Sequence, residues 1–546
     1  MSKITKDTLA LALIIALTTI VTRQWLVPGL PRTHDAETHI ARAAVFSKSI
    51  MEGNILPRWA GSLNWRYGTP SIMFLYPGVP YAAALIHLAT SMQFIDIFKL
   101  FMVVGYAGSG LVWFKWMRTI KFSPVSAFVS SLFYLLAPYR LVNIFVRGAM
   151  AEHLGFFFFP LIMLTGTSLI ITRKRRYLIG LALSVAGLVL THNLSVLLYL
   201  PIIMVYPFLM NLTKKTGIRY FGGIILGFVL TAFFWIPALM ESKYTLSSWM
   251  FSAKDWYADN FLFPVQLLWS PWGYGWSEPG PNDGMSFQIG IAQILILLIG
   301  LAMLGFRKYF RTNNTKLLVF GFIWVFLGIF ITLPVSAWAW KIVPLMPKFQ
   351  FPWRFLSYIV VGSALAVAPI TETIKKNTLL IILIIILPIV FTINYWKISG
   401  PSDLTEKFLT KDYVGTSDTG ETSPIWAIRF QEQFPKSPVE VVSSDGKVEI
   451  SNLVKYNQRH EFEVSVTARS QMADNTLYFP GWTVYVDGNK VPITYQDINW
   501  RGVITFPVES GKHRVVVVFE ETLLRKIADA ASIIGLGILA WLVSKS

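Results

Sequence analysis

The sequence predicts a polytopic α-helical membrane protein that carries an all-β sandwich near its C-terminal end. Three observations lead there. Of 546 residues, 54% are hydrophobic and only 14% are charged, where a soluble chain carries about 25% charged residues. The apolar residues gather into thirteen long runs. One late segment, 398–522, instead alternates polar with apolar residues. A mean hydropathy of +0.53 excludes disorder, coiled coil, collagen and an ordinary soluble enzyme.

The runs lie near 7–27, 72–90, 97–114, 123–138, 154–172, 177–191, 194–211, 218–240, 287–305, 317–333, 353–371, 378–396 and 524–543. Each approaches the ~20 residues that a helix needs to cross a hydrocarbon core of about 30 Å. The first follows Met1-Ser-Lys-Ile-Thr-Lys, with no small-x-small cleavage site after Val21, and reads as an uncleaved anchor. The run 72–90 is broken by Pro70, Pro77, Pro80 and His87, which suits a re-entrant or interfacial segment.

The formal charge of +18 does not point to nucleic acid, because the basic residues sit in short clusters between apolar runs. These clusters are Lys115/Arg118/Lys121, Arg173–Arg176 (RKRR), Lys214/Lys215/Arg219, Arg307/Lys308/Arg311/Lys316 and Lys375/Lys376. If 72–90 spans fully, RKRR and most later clusters face outward. If it does not, every cluster falls on the side of Lys3 and Lys6. The positive-inside rule selects the second arrangement: about twelve spans with both termini cytoplasmic, in the cell (plasma) membrane. The long loops 28–96, 138–153, 241–286, 334–352 and 397–523 then all face outward, and any chemistry is extracytoplasmic. With no cysteine, a disulfide scaffold, a thiolate metal site and a Cys nucleophile are excluded.

The expected domains are a transmembrane domain over 1–397, a β-sandwich over 398–522 and a final membrane helix over 523–546. Alternation appears in Val439–Val442, Lys447–Ile450, Glu461–Val466, Thr476–Phe479, Thr483–Val486 and Arg514–Phe519. Asp487-Gly488 reads as the tight turn of a hairpin.

Chemistry-bearing residues cluster first in Thr33-His34-Asp35-Ala36-Glu37-Thr38-His39, just past the first membrane helix. The apolar spacing of Ile40, Ala43, Ala44, Ser47, Ile50 and Met51 predicts an amphipathic helix in the outer interface, stopped by Gly53. Asp35 and Glu37 stand at its N-terminus, where the macrodipole favours the ionised carboxylate. Such a carboxylate acts as a general base, binds a divalent cation, or simply complements the dipole. The second cluster runs Tyr139 to His153, with Arg140 and Arg147 seven apart and Glu152 at the mouth of an apolar helix. A guanidinium there clamps a phosphate through its forked donors, or snorkels to the interface. Arg354, among Phe351, Trp353 and Phe355, reads in the same two ways. His192 reads as a structural hydrogen-bonder. The loop Trp269–Trp276 offers aromatic faces to a sugar or to the interface. Sequons at Asn193, Asn211 and Asn314 fall at membrane ends or in cytoplasmic loops and are discounted.

These motifs resemble the GT-C superfamily of membrane glycosyltransferases, marked by a DxD, DxE or ExD pair in the first outer loop. Asp35-Ala36-Glu37 is a DxE at that place, and Glu152 matches a second acidic position. The stretch Tyr478–Pro492, then Arg501-Gly502-Val503 and Gly511-Lys512-His513, resembles the outer domain of the YfhO-like branch. The N-terminal two-thirds is similar to the membrane region labelled 6-pyruvoyl-tetrahydropterin synthase-related, a label that implies no pterin chemistry. The resemblance implies sugar transfer from a polyprenyl-phosphate-linked donor to an extracytoplasmic glycan, polymer or lipid. It implies Asp35 as catalytic base and Glu37 beside it. Glu152, Arg147, Arg354, His39 and His34 would support substrate. Asp35, Glu37 and Glu152 would hold Mg or Mn in members that need a divalent cation. The alternatives are a transporter or flippase of lipid-linked glycans and a non-enzymatic envelope assembly factor. Mid-span regions nearly free of charge weigh against a transporter.

Overall fold

The computed structural model describes residues 3–210, 212–247, 250, 256–305 and 312–545. Arg307, Lys308 and Arg311 of one basic cluster, and the sequon at Asn211, lie outside the described residues. Every apolar run forms helix. Among the described residues seven helices are long and apolar enough to cross a bilayer, or nine if each of two bent pairs is one span. The bent pairs are Pro124–Leu135 with Pro138–Arg147, at 53°, and Lys214–Leu230 with Ala232–Met240, at 71°. Pro138 explains the first bend: it lacks an N–H and pushes Ala137 into extended backbone, ψ 133. The run 72–90 breaks into Ser71–Phe74 and Gly78–Thr90 across extended Leu75. The second piece is ~20 Å long at 1.5 Å per residue, short of a bilayer core.

The helices are polarised end to end. Arg118 pairs with Asp7 at 2.9 Å, Ser123 N donates to Glu372 at 2.9 Å, and Arg175 donates to the Lys545 carbonyl at 2.7 Å. The basic clusters around 118, 175 and 375 therefore share one end with the two chain termini. The acidic and arginine motifs around 35, 152 and 354 lie at the opposite ends of the same helices. Thr312–Thr332 and Leu356–Ile374 cross at Gly321 and Gly362. A Cβ on Gly321 would stand 2.6 Å from the Gly362 carbonyl oxygen, so only glycine permits this backbone approach.

The C-terminal unit is two packed antiparallel sheets. Strands β1 (Val439–Ser444), β4 (Ser470–Leu477) and β7 (Val503–Val508) form one sheet, in that order. Strands β2 (Val448–Lys455), β3 (Arg459–Val466), β8 (Gly511–Phe519), β5 (Trp482–Val486) and β6 (Asn489–Val491) form the other. Their inner faces meet through Met472, Ile504 and Phe506 on one side and Phe462, Val484 and Val517 on the other. Asp487 and Gly488 take φ of +50° and +81°, as a tight hairpin turn requires. Two expectations fail locally. Strand β4 ends at Leu477 rather than covering Thr476–Phe479, because Pro480 and Gly481 (φ +119°) turn the chain. Strand β7 was absent from the expected set. Residues 398–438 carry no strand; they hold one helical turn, Phe408–Asp412, packed on the helix that begins in the His34–His39 motif.

The unit is joined to the membrane helices at the start of the final helix, where the Pro480 carbonyl accepts from Arg525 Nη2 at 2.7 Å and a set of ion pairs gathers. Arg525 binds Glu241 at 2.9 Å, and Arg58 binds Glu521 at 3.0 Å and Asp529 at 2.8 Å. Trp59 and Phe74, from the segment after the first helix, complete the sandwich core.

Candidate active site

Helix α1 (Lys3–Thr22) delivers the chain to the His34–His39 motif, and helix α2 (Ala36–Met51) starts there with Asp35 at its N-cap. The helix stops as expected at Gly53, whose φ is +88°. It does not lie on a surface as an interfacial helix would. Ala36, His39, Ile40, Arg42, Val45 and Phe46 are all buried, against Gly78–Thr90, Phe94–Thr119 and Phe408–Asp412.

The first motif is zippered to the second through its backbone. His34 N donates to the Val146 carbonyl at 3.2 Å and Asp35 N to the Arg147 carbonyl at 2.9 Å. Residues Asn143–Arg147 form a π-helical turn closed by Gly148 at φ +58°. A Cβ on Gly148 would meet Thr33 Oγ1 at 2.3 Å, so the approach of the two motifs depends on that glycine.

Arg147 is the hub. Its Nη1 donates to Glu152 Oε2 at 2.7 Å and to Asn143 Oδ1 at 2.5 Å. Its Nη2 lies 3.9 Å from Asp35 Oδ2. Its guanidinium sits 4.8 Å above the Trp353 ring. Glu152 is 1% exposed, and its other oxygen accepts from Tyr139 Oη at 2.6 Å and Asn143 Nδ2 at 3.3 Å. Three of its acceptor positions are taken by Tyr139, Asn143 and Arg147, so in this structure it fixes Arg147. The Asp35 carboxylate makes no cap hydrogen bond, and its side chain is 38% exposed. It is the accessible acid of the cluster.

Two further guanidinium groups enter this region with no carboxylate partner among the described residues. Arg354, 7% exposed, donates Nη2 to Gln350 Oε1 at 3.3 Å, and its Nε has no partner. Arg42, 4% exposed, donates Nε to the Thr38 carbonyl at 3.1 Å and Nη2 to Thr38 Oγ1 at 3.2 Å; its Nη1 has no partner. Arg42 also lies 5.1 Å over the Tyr76 ring, and His192 packs edge-on to the same ring at 5.4 Å. His192 Nδ1 accepts from Ser195 N at 3.2 Å, so its proton resides on Nε2. Arg42 was not among the sequence candidates. Its signal was the spacing Asp35, His39, Arg42, which places all three on one helical face.

The remaining candidates do not join the cluster in the expected way. His39 is buried between Tyr76 and Phe98, at 6.0 and 6.1 Å, and burial followed by Arg42 holds its pKa well below the ordinary value. His34 donates Nε2 to the Tyr274 carbonyl at 3.1 Å, and burial lowers its pKa. Glu37 stands about 200° round the helix from Asp35 at 100° per residue. Burial, and then the Asp35 charge, raise its pKa. Tyr413 lies beside it; burial and the Glu37 carboxylate push that phenol up to about 12. Arg140 shares no face with Arg147. It points into a cage of Tyr106, Tyr134 and Phe156, 4.3 Å from the last ring centroid.

The carboxylates of Asp35, Glu37 and Glu152 do not converge on one point in this structure. The Arg147 guanidinium stands between Asp35 and Glu152, Glu37 turns away, and the Glu152 oxygens are already bonded. Among the described residues no group of three or more His, Cys, Asp or Glu is arranged to hold a metal ion.

None of the cluster's residues lines the mainly apolar cavity of about 320 Å³ that also takes in Arg58, but chain neighbours of theirs do. Its walls include Pro77 and Gly78, directly after Tyr76, and Leu190, two residues before His192, with Phe46, Tyr81 and Phe234.

Cryo-EM structures of the mycobacterial arabinofuranosyltransferase AftD resemble the chain distantly. One matches with a TM-score of 0.47 at 13% identity, over 72% of this chain and 27% of that one. A mutant form matches at 0.42 and 15% identity, over 71% and 27%. This chain therefore spans about 27% of AftD's length. No curated protein matches. The model of the 6-pyruvoyl-tetrahydropterin synthase related domain, a membrane protein family, matches residues 73–399. That match covers more than half of the chain and includes Arg147, Glu152, His192 and Arg354, so the chain belongs to this family of membrane proteins.

Proposed function

We propose that the chain is a GT-C-type glycosyltransferase, moving a sugar from a polyprenyl-phosphate-linked donor to an extracytoplasmic glycan, polymer or lipid acceptor. One observation carries the reading. An accessible carboxylate, Asp35, lies 3.9 Å from the Arg147 guanidinium, and two more buried guanidinium groups in the same region, Arg42 and Arg354, each keep an N–H without a partner among the described residues. A buried unpaired cation is costly, and an anionic substrate group satisfies it. In this reading the donor phosphate lies among Arg42, Arg147 and Arg354, and its lipid chain enters the mainly apolar cavity.

The chemistry follows from charge. Asp35 accepts the proton of an acceptor hydroxyl as its oxygen attacks the anomeric carbon. The bond from that carbon to the phosphate oxygen breaks, and polyprenyl phosphate leaves with one more negative charge than it had as a diester. Fixed guanidinium groups stabilise that developing charge. A single displacement inverts the anomeric configuration. Glu152, Tyr139 and Asn143 are positioning residues, because they act by orienting Arg147. No step is assigned to a metal ion.

The orientation belongs to the same proposal. The basic clusters and both termini face the cytoplasm, about twelve segments cross the plasma membrane, and the site and β unit face outward. Placement of the described basic clusters at the end opposite Asp35 supports it.

Purified protein in nanodiscs, incubated with a panel of radiolabelled polyprenyl-phosphate sugars and candidate acceptors, tests the function. The expected result is release of polyprenyl phosphate with label in the acceptor, reduced by ~10²–10⁴ in Asp35→Asn. A carrier or an assembly factor would leave the sugar–phosphate bond intact.

A further inference from the structure

The aromatic loop after residue 268 forms a small hairpin that the proposed chemistry does not use. Tyr274 pairs with Met285 across it. Gly275 N donates to Gly284 O at 2.8 Å, and Gly284 N to Trp276 O at 2.9 Å. The strands are pressed together at their glycines: a Cβ on Gly273 would stand 2.2 Å from the Gly284 oxygen.

The hairpin is pinned from several sides. Tyr274 Oη donates to the Lys397 carbonyl at 2.9 Å, and the Tyr274 carbonyl accepts from His34 at 3.1 Å. Asp283 accepts from Gln266 Nε2 at 2.6 Å and from Glu278 N at 2.7 Å. Ser277 Oγ donates to Asn260 at 3.0 Å.

This scaffold holds the Trp276 indole flat on the His34 ring, with centroids 4.0 Å apart and planes at 21°. Despite that stack, Trp276 remains 61% exposed. His34 is the residue immediately before Asp35, with their Cα atoms ~3.8 Å apart across one peptide. A rigid open aromatic face thus stands one residue from the proposed base.

We propose that Trp276 is the platform of an acceptor subsite, stacking the apolar C–H face of a sugar ring so that a hydroxyl of that ring reaches Asp35. The assignment of this sugar as acceptor rests on the transferase reading; the binding of a sugar does not. The tip favours a glycan over a lipid occupant. Glu278 and Asn282 are exposed beside Trp276, and such groups do not enter hydrocarbon without cost. Burial of His34 lowers its pKa, so the stacked imidazole is neutral at pH 7 and leaves the indole face free of a cation's competition.

Saturation-transfer NMR on the full chain in nanodiscs tests this, with a panel of methyl pyranosides, methyl furanosides and their disaccharides as probes. At least one glycoside is expected to bind, ~10-fold more weakly to Trp276→Ala and within about 3-fold of normal to Trp276→Phe. Trp269→Ala, an equally exposed tryptophan of the same loop (58%), is expected to bind as the wild type does. No binding by the wild type, unchanged binding by Trp276→Ala, or equal loss in Trp269→Ala would each overturn the proposal; the last marks a general interfacial anchor. Binding needs no turnover. A chain that binds a glycoside through Trp276 yet releases no polyprenyl phosphate refutes the transferase reading alone.

Discussion

Replacing Glu152 by Gln isolates the electrostatic core of the site. The carboxylate is 1% exposed and accepts from Tyr139, Asn143 and Arg147. The amide keeps the shape and one carbonyl oxygen. It turns an NH₂ toward Arg147 Nη1, where two donors then face each other. Arg147, itself 8% exposed, keeps its bond to Asn143 Oδ1 at 2.5 Å, but its remaining anionic neighbour is the Asp35 carboxylate at 3.9 Å. Breaking a buried pair by neutralising one partner costs about 3–5 kcal/mol. The assay is a double-mutant cycle in detergent unfolding, comparing Glu152→Gln, Arg147→Gln and the double variant. Each single variant is expected to lose about 3 kcal/mol or more, and the double variant less than their sum by at least ~1.5 kcal/mol. Additive losses, or a Glu152→Gln protein as stable as the wild type, would show that the pair is not the hub described here.

The unpaired arginine gives the opposite signature. Arg42→Met removes a buried cation with no acid partner, so the substrate-free protein is expected to keep or gain thermal stability. The same variant should raise donor KM by ~10–100-fold, the loss of a charge-assisted contact worth about 1.5–3 kcal/mol. Chelation by EDTA is expected to leave transfer within about 2-fold of the untreated rate, since guanidinium groups carry the charge that a cation would otherwise supply; complete loss restored by Mn or Mg would contradict that assignment. In the β unit, burial raises the Asp474 pKa, but His460 at 2.7 Å and Lys455 at 3.9 Å outweigh it and bring it down to about 2. The folded value lies below the unfolded one, so the stabilisation of about 2 kcal/mol is complete above pH ~4 and is lost as pH falls through 2. Asp474→Asn should therefore flatten the acid limb of stability over that window, read by tryptophan fluorescence.

Hydropathy made the helices legible, because each long apolar run had one low-energy solution in a bilayer. The break at Pro77 and the stop at Gly53 were legible for the same local reason, fixed or freed φ. Strand β7 was not. Its sequence VITFPV buries residues on both faces, so it lacks the alternation that marks a half-exposed strand, and Pro507 demotes it further. Arg140 and Arg147 appeared to share a helical face at a spacing of seven. The π-helical turn at 143–147 shifts the phase, and that change of hydrogen-bond register leaves no trace in hydropathy. Within the site, Asp35, Arg147, Glu152 and Arg354 were visible as charged residues at membrane boundaries. Their division of labour was not, because it depends on which donors surround Glu152. Arg42 sits on what read as the polar side of an interfacial helix, opposite Ile40, Ala44 and Ser47, and its burial there is a purely tertiary fact.

In the proposed reaction Arg42, Arg147 and Arg354 hold the phosphate of a lipid-linked sugar. Cryo-EM of Asp35→Asn in nanodiscs, with a phosphonate analogue of the best donor, tests it most directly. Phosphonate density is expected between Arg42, Arg147 and Arg354, with the lipid chain along Pro77, Tyr81 and Leu190. An analogue bound elsewhere, with those three guanidinium groups unoccupied, would contradict it.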